Sequence, residues 1–339
     1  MRSRFPALVA VAILVALSLP AIAGARSAPS AADAAQAEHA RILAYWTPER
    51  VASAQPREFI RTEVGFAQAP IPRARPGGGG GGTGASWTGN GAIELRSGRV
   101  LFAMGGSNWI CSGSVVNGGA GGSSATVLTA GHCVFDGADG WATNWLFIPD
   151  FDDAPTYTCA NTAFGCWTAT RLGANADFVG GGGFGNDTVH VDYGFALVGP
   201  GGKAGNVDLD SIGGTYDLKI TATLLSDTQW AFGYPAAQKY KGKDLVYCTG
   251  SLVADPYGAD TWGMACNMTG GSSGGPWLHG TTDPASSITP GQASSVNSYG
   301  YSNLSYMFGP KFNAETSTVL GDTADGTATT NVSAIQNLP

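Results

Sequence analysis

The sequence predicts an all-β protein, a sandwich or barrel architecture with length enough for two barrels packed together. From Trp87 to the C-terminus, short apolar runs alternate with clusters of Gly, Asn, Asp and Ser, and hardly any window keeps a helical period for three turns. Many short strands at near-regular spacing mark sandwiches and barrels. Roughly 250 residues of this texture exceed what one small barrel needs. With 43% hydrophobic and 13% charged residues among 339, the chain buries a real core.

The candidate strands are Val100 to Met104, Ser114 to Val116, Thr126 to Leu128, Trp145 to Ile148, Gly194 to Val198, Lys219 to Leu225 and Gln229 to Gly233. Val246 to Cys248, Pro276 to His279 and Ser295 to Tyr299 continue the series. A first β unit is expected over residues 86–210 and a second over 211–339. The glycine runs Gly118 to Gly122 and Gly180 to Gly183 lack the strand-turn-helix setting and lysine of a phosphate loop, and read as surface loops.

The N-terminal part differs. Residues 1–25 carry Arg2 and Arg4 ahead of an apolar run from Ala7 to Leu19, then the small-residue cleavage options Ala21-Ile22-Ala23 and Ala23-Gly24-Ala25. They read as a signal peptide, since the run is well short of the roughly 20 residues that span a bilayer. The chain is therefore expected to be secreted and free of the membrane after cleavage. Residues 26–85 read as a propeptide and linker. Ser30 is positioned to cap a helix running to Trp46, Pro48 to stop it, and the prolines at 56, 70, 72 and 76 precede six glycines, Gly77 to Gly82.

Export gives the six cysteines a meaning, because an even number in an oxidising compartment implies disulfides. Sequence order suggests neighbours: Cys111 with Cys133, Cys159 with Cys166, Cys248 with Cys266. No C-x-x-C pair occurs, so no metal is expected, and no cofactor motif is present. A net charge of −7 argues against nucleic acid and anionic membranes as partners.

Two segments carry chemistry: Thr129-Ala130-Gly131-His132-Cys133 and Gly270-Gly271-Ser272-Ser273-Gly274-Gly275-Pro276. A serine hydroxyl becomes a competent nucleophile when a base takes its proton, and the developing oxyanion needs fixed N–H donors. Glycines beside the serine let the backbone turn tightly and admit a substrate carbonyl. Gly271-Ser272-Ser273-Gly274-Gly275 also fits the G-x-S-x-G elbow of α/β-hydrolases, but there the acid and histidine follow the serine. Here only His279 follows, six residues on. The order His132, Asp192, Ser273 is that of chymotrypsin.

T-A-G-H-C at 129–133 and S-S-G-G-P at 272–276 resemble the two signatures of trypsin-like serine peptidases, most closely the bacterial branch of glutamyl endopeptidases and V8-like enzymes. Cys111-Ser112-Gly113-Ser114-Val115-Val116, Gly233-Tyr234-Pro235-Ala236 and Cys266-Asn267-Met268-Thr269-Gly270 extend the resemblance, which covers residues 86–310 in patches. It implies two packed six-stranded antiparallel β-barrels with the active site between them, and a peptidase acting on polypeptides through an acyl-enzyme. It further implies a Cys111–Cys133 bridge and an oxyanion hole from the amides of Gly271 and Ser273. Asn267 is placed at the base of the primary pocket, and Ser298-Tyr299-Gly300 on the strand that pairs with substrate. A monomer is the expected state.

Asp192 opens the apolar strand 192–198, the place where trypsin-like enzymes hold their aspartate, whereas Asp187 and Asp177 read as turn residues. Its task is to accept the second ring N–H of His132. His190 reads as incidental, and His39 belongs to the propeptide segment. Three departures bear on function. Trypsin and chymotrypsin have aspartate before the nucleophile, and its salt bridge to the new N-terminus completes the oxyanion hole; Ser272 stands there instead, so activation is expected to uncover the site. A neutral Asn267 argues against a strong Arg/Lys preference at the primary pocket. Asn297, where glutamyl endopeptidases carry histidine, argues against a Glu preference. The rival readings are an inactive homologue that binds a partner, and a secreted esterase.

Overall fold

Gly105 and Gly106, with φ of 59° and 73°, make the first tight turn of the body. Two successive positive φ values are those of a type I′ turn, whose twist matches that of a β-hairpin. The hairpin it closes joins the strands Ser97–Met104 and Ser107–Val116, paired from Met104 opposite Ser107 to Ser97 opposite Ser114. This computed structural model describes residues 30–62, 65–68, 82–118, 125–151, 159–236, 240–281 and 291–339. The expected signal peptide, most of the glycine linker and most of the run Gly118 to Gly122 lie outside the described residues.

Around the hairpin a six-stranded antiparallel barrel closes. Its order is Ser107–Val116, Ser97–Met104, Thr143–Pro149, Trp167–Asn175, Gly194–Val198, Thr126–Thr129 and back to Ser107–Val116. The strands read as nearly continuous apolar runs because they are buried on both faces, one turned to the barrel interior and one to neighbouring elements. Val100, Phe102, Val127, Leu128, Trp145, Phe147, Trp167, Leu172 and Phe195 fill this core.

The second sheet runs Gln292–Val296, Pro276–His279, Thr228–Gly233, Val246–Ala254, Thr261–Ala265, Tyr306–Pro310, with the short strand Tyr299–Tyr301 outside the last. Its two margins meet where the Ser295 hydroxyl donates to the Pro310 carbonyl at 2.7 Å. A smaller core of Ala231, Val246, Met264, Met268, Trp277 and Met307 fills it. The architecture is thus the expected all-β pair of packed barrels. All three disulfides join the expected neighbours.

Several expectations meet a different outcome. Lys219 to Leu225 forms no strand: the Lys219 N–H meets the Ala293 carbonyl at 2.8 Å, but beyond it Ile220, Leu224 and Leu225 are exposed. Ser295 to Tyr299 is interrupted, with strands ending at Val296 and resuming at Tyr299. A helix the sequence reading missed, Ala314–Asp325, packs on the first barrel, and the strand Ser333–Asn337 pairs with Trp167–Asn175. The segment 211–339 therefore returns to the first barrel at its end.

The N-terminal segment is folded against the body. Ser30 caps the helix Ala31–Tyr45 through a capping box with Asp33, and Pro48 opens a second short helix, Pro48–Ser53, at its first turn, where proline fits. His39, Ile42 and Trp46 are buried, and Trp46 Nε1 donates to the Asn144 carbonyl at 2.7 Å. Gln55–Pro56 then adds to Ser107–Val116 in parallel, and Phe59–Thr62 adds to Tyr299–Tyr301 in parallel.

Candidate active site

His132 sits in a single 3-10 turn, Gly131–Cys133, directly after the barrel strand Thr126–Thr129. The Cys133 bridge to Cys111 ties that turn to the neighbouring strand. Asp192 ends the turn Val189–Val191 just before the strand Gly194–Val198, whose Gly194 lies opposite Thr129. Adjacent strands thus deliver the two side chains to one end of the first barrel.

Asp192 is fully buried and holds His132 with both oxygens. Oδ1 accepts the His132 backbone N–H at 2.8 Å, and Oδ2 pairs with the ring Nδ1 at 2.8 Å. The Ser298 hydroxyl donates to Oδ2 at 2.5 Å. A buried carboxylate is stable only when its lone pairs are met, and three bonds meet them here. Ser298, expected on the substrate-pairing strand, therefore also supports Asp192. Asp177 instead lies in the first turn of the short helix Ala176–Gly180, Asp187 is exposed, and His190 is half-buried in the turn before Asp192.

Ser273 comes from the second barrel, its carbonyl oxygen 4.0 Å from the sulfur of Cys133 beside the histidine. Ser112, on the first, clamps the loop of Ser273 by donating its N–H to the Ser273 carbonyl at 2.7 Å and its hydroxyl to the Gly271 carbonyl at 2.8 Å. The same hydroxyl accepts the Tyr234 N–H at 2.9 Å. Gly274, at φ 82°, lies so close to the first barrel that a Cβ there would meet Thr129 Oγ1 at 2.2 Å and the Ser112 carbonyl at 2.4 Å. The two sequence signatures thus pack backbone against backbone, which is why the loop needs glycine at this place. Asn297 is a further clamp: its amide donates to the carbonyls of Phe232 and Ser272, and its Oδ1 accepts Trp277 Nε1. Ser272 closes a local turn through its hydroxyl to the Thr269 carbonyl at 2.7 Å. The roles of Ser112 and Asn297 were not readable from the sequence, since both depend on which loops meet across the barrels.

Ser273 and His132 do not bond to each other. The Ser273 hydroxyl donates to the Arg57 carbonyl at 3.1 Å, and His132 Nε2 is buried with no hydrogen-bond partner among the described residues. Arg57 and Glu58 are buried, and the Phe59 ring stands edge-on to His132 at 5.1 Å and stacks on Phe184 at 4.3 Å. Phe184, which follows the glycine run 180–183, also meets the His132 ring edge-on at 5.4 Å, so that loop lines the site as well as the surface. The Arg57 guanidinium pairs with Asp136 and lies over the Trp109 ring at 5.2 Å.

Of the other expected positions, the amides of Gly271 and Ser273 make no backbone hydrogen bond among the described residues. Asn267 turns its Oδ1 to the Gly84 N–H at 2.9 Å and the Tyr240 hydroxyl at 2.6 Å. Tyr299 and Gly300 pair with Phe59 and Ile60.

Solved structures resemble this one. The chain is 35% identical to the protease Anisep from Arthrobacter nicotinovorans, over 68% of this chain and 96% of that one, with a TM-score of 0.57. It is 30% identical to the thermostable serine protease AL20 from an extremophilic microorganism, over 69% and 99% of the two chains, with a TM-score of 0.57. A glutamyl endopeptidase, 18% identical over 73% of this chain and 98% of its own with a TM-score of 0.53, shares the fold. No family model and no curated protein matches.

Proposed function

Because the chain belongs to the trypsin-like serine peptidases of the bacterial V8-like branch, we propose that it is a secreted endopeptidase made as a precursor, with Ser273 as nucleophile, His132 as general base and acid, and Asp192 as its orienting group. His132 Nε2 takes the hydroxyl proton as Ser273 Oγ attacks the scissile carbonyl. Asp192 fixes the ring with Nδ1 as the N–H and stabilises the imidazolium. The amides of Gly271 and Ser273 receive the oxyanion, and losing one such donor typically costs about 10²- to 10³-fold in rate. The imidazolium then protonates the leaving amine, and water, activated by the same nitrogen, releases the acyl group.

The observation that carries this reading is the His132–Asp192 pair, held by two bonds of 2.8 Å with no exposed surface, beside the loop of Ser273 that Ser112 clamps. The precursor is held inactive because Arg57 draws the Ser273 hydroxyl to its own carbonyl and Phe59 covers the histidine. Release of residues 55–62 frees the hydroxyl to bond Nε2. No part of this switch uses a salt bridge at the residue before the nucleophile, where Ser272 is already engaged with Thr269.

The test is casein hydrolysis by the full chain, folded and then processed within Gly77 to Gly82. Wild type cleaves casein, while Ser273→Ala and His132→Ala each lose about 10⁴-fold or more. Casein cleavage retained by Ser273→Ala overturns the assignment; ester turnover without casein cleavage indicates the esterase instead.

A further inference from the structure

Asp255 follows the strand Val246–Ala254 and is buried, yet among the described residues no lysine, arginine or histidine of the mature body pairs with it. Its Oδ2 accepts the hydroxyls of Tyr299 at 2.6 Å and Tyr301 at 2.5 Å, and its Oδ1 accepts the Tyr257 N–H at 2.7 Å. Thr261 Oγ1 shares a further bond of 2.7 Å with the Tyr299 hydroxyl. Residues two apart on a strand share a face, so Tyr299 and Tyr301 both turn to this carboxylate while the strand's edge stays available for pairing. Burial first, and the carboxylate next, push both phenols well above their ordinary values, so they remain proton donors. Among the described residues the hydrogen-bond partners of this carboxyl are neutral dipoles, and Tyr301 links it to the exposed Tyr257 ring.

That outward place is filled in the precursor. Phe59 lies opposite Tyr299 and Arg61 opposite Tyr301. The Arg61 guanidinium stands 5.6 Å from the centre of the Tyr257 ring and 5.7 Å from that of Phe66. Tyr257 is 51% exposed and packs on Tyr301 at 4.7 Å, an aromatic wall suited to a cation. We propose that Asp255, the hydroxyl of Tyr301 and the ring of Tyr257 form a substrate subsite for a basic side chain. It lies two residues farther from the scissile bond than the residue against His132 and Phe184. The prosegment holds this subsite with Arg61 and the adjoining one with Phe59. This rests on the peptidase reading above and names the class of polypeptide it takes: an aromatic or apolar residue beside the histidine, and Arg or Lys two positions beyond it.

The test uses the processed full chain and N-blocked peptide substrates that share one scissile residue and differ, at the distal position, as Arg, Gln or Glu. Arg gives a kcat/KM about fivefold above Gln, expressed in KM, with Glu lower still, and the advantage shrinks in about 1 M salt. Asp255→Asn brings the Arg and Gln peptides to within about twofold of each other. A second readout needs neither turnover nor a protein variant at Asp255. Fluorescent peptide Gln55–Thr62 binds processed Ser273→Ala about fivefold more tightly than its Arg61→Gln form. Peptides cleaved at equal rates whatever the distal residue, or equal binding of the two prosegment peptides, overturn the subsite and leave the peptidase standing. Cleavage of none of the peptides with no casein hydrolysis overturns the peptidase reading, and the subsite with it.

Discussion

At the scale of single residues, Asp192 and Ser112 do different work. In the proposed mechanism Asp192 sets the tautomer of His132, so Asp192→Asn is expected to keep the fold and lower kcat by about 10⁴-fold, read by peptide hydrolysis beside an unchanged thermal transition. Ser112 holds loops from two barrels in register. Ser112→Ala leaves the buried Tyr234 N–H and the Gly271 carbonyl without their partner. The expected cost is about 2 kcal/mol of stability, seen as a lower denaturant midpoint. His132 and Ser273 were legible because their neighbours are constrained: Gly274 has no room for a Cβ, and the cysteine beside the histidine anchors its turn. Asp192 was legible from its place before an apolar strand. Ser298 was recognised for its backbone, but its hydroxyl bond to Asp192 belongs to a contact over 106 positions of sequence, which no local pattern encodes. Phe184 was hidden in a glycine-rich loop for the same reason.

Elements show where sequence pattern and tertiary context part. The strands of the first barrel are apolar on both faces and announced themselves. Lys219 to Leu225 carries the same signature but among the described residues pairs only at Lys219, with Ala293, and its apolar side chains Ile220, Leu224 and Leu225 remain exposed. The helix Ala314–Asp325 contains Thr316, Thr318, Val319, Gly321 and Thr323, residues of modest helix propensity, so its composition concealed it. A capping box of Asn313 with Thr316 and its packing on the first barrel offset that weakness. The helix Ala31–Tyr45 carries a contact expected to depend on pH. His39 is buried, its Nδ1 meets Thr168 Oγ1 at 2.9 Å, and burial pulls its pKa below the ordinary value. Released, the ring titrates near about 6.5; docked, it resists protonation. The docked state binds fewer protons, so its stability is full above the released value and falls as pH drops through and below it. Hydrogen-exchange protection of the helix Ala31–Tyr45 is therefore expected to decline between about pH 7 and pH 5, and His39→Gln to flatten that dependence.

For the whole molecule, one segment joins both barrels across the cleft they form. Residues 55–62 pair with the first barrel at Trp109 and Ile110, pass Ser273, and pair with the second at Tyr299 to Tyr301. Each end adds a strand to an exposed sheet edge, a mode in which main-chain bonds supply the affinity. That pairing was not legible beforehand, because Gln55 to Thr62 has no strand pattern of its own and takes its form from the edges it meets. Breaking the Arg57 pair with Asp136 loosens the middle of the strap, and Arg57→Ala is expected to raise precursor reactivity by about tenfold. The most direct measurement is the rate at which a fluorophosphonate labels the full-length precursor, the processed enzyme and processed Ser273→Ala. The account predicts rapid labelling of the processed enzyme, labelling of the precursor slower by about 10²-fold or more, and none of the variant. A precursor that labels as fast as the processed enzyme contradicts the blocked site, and a variant that labels like wild type contradicts Ser273 as the nucleophile.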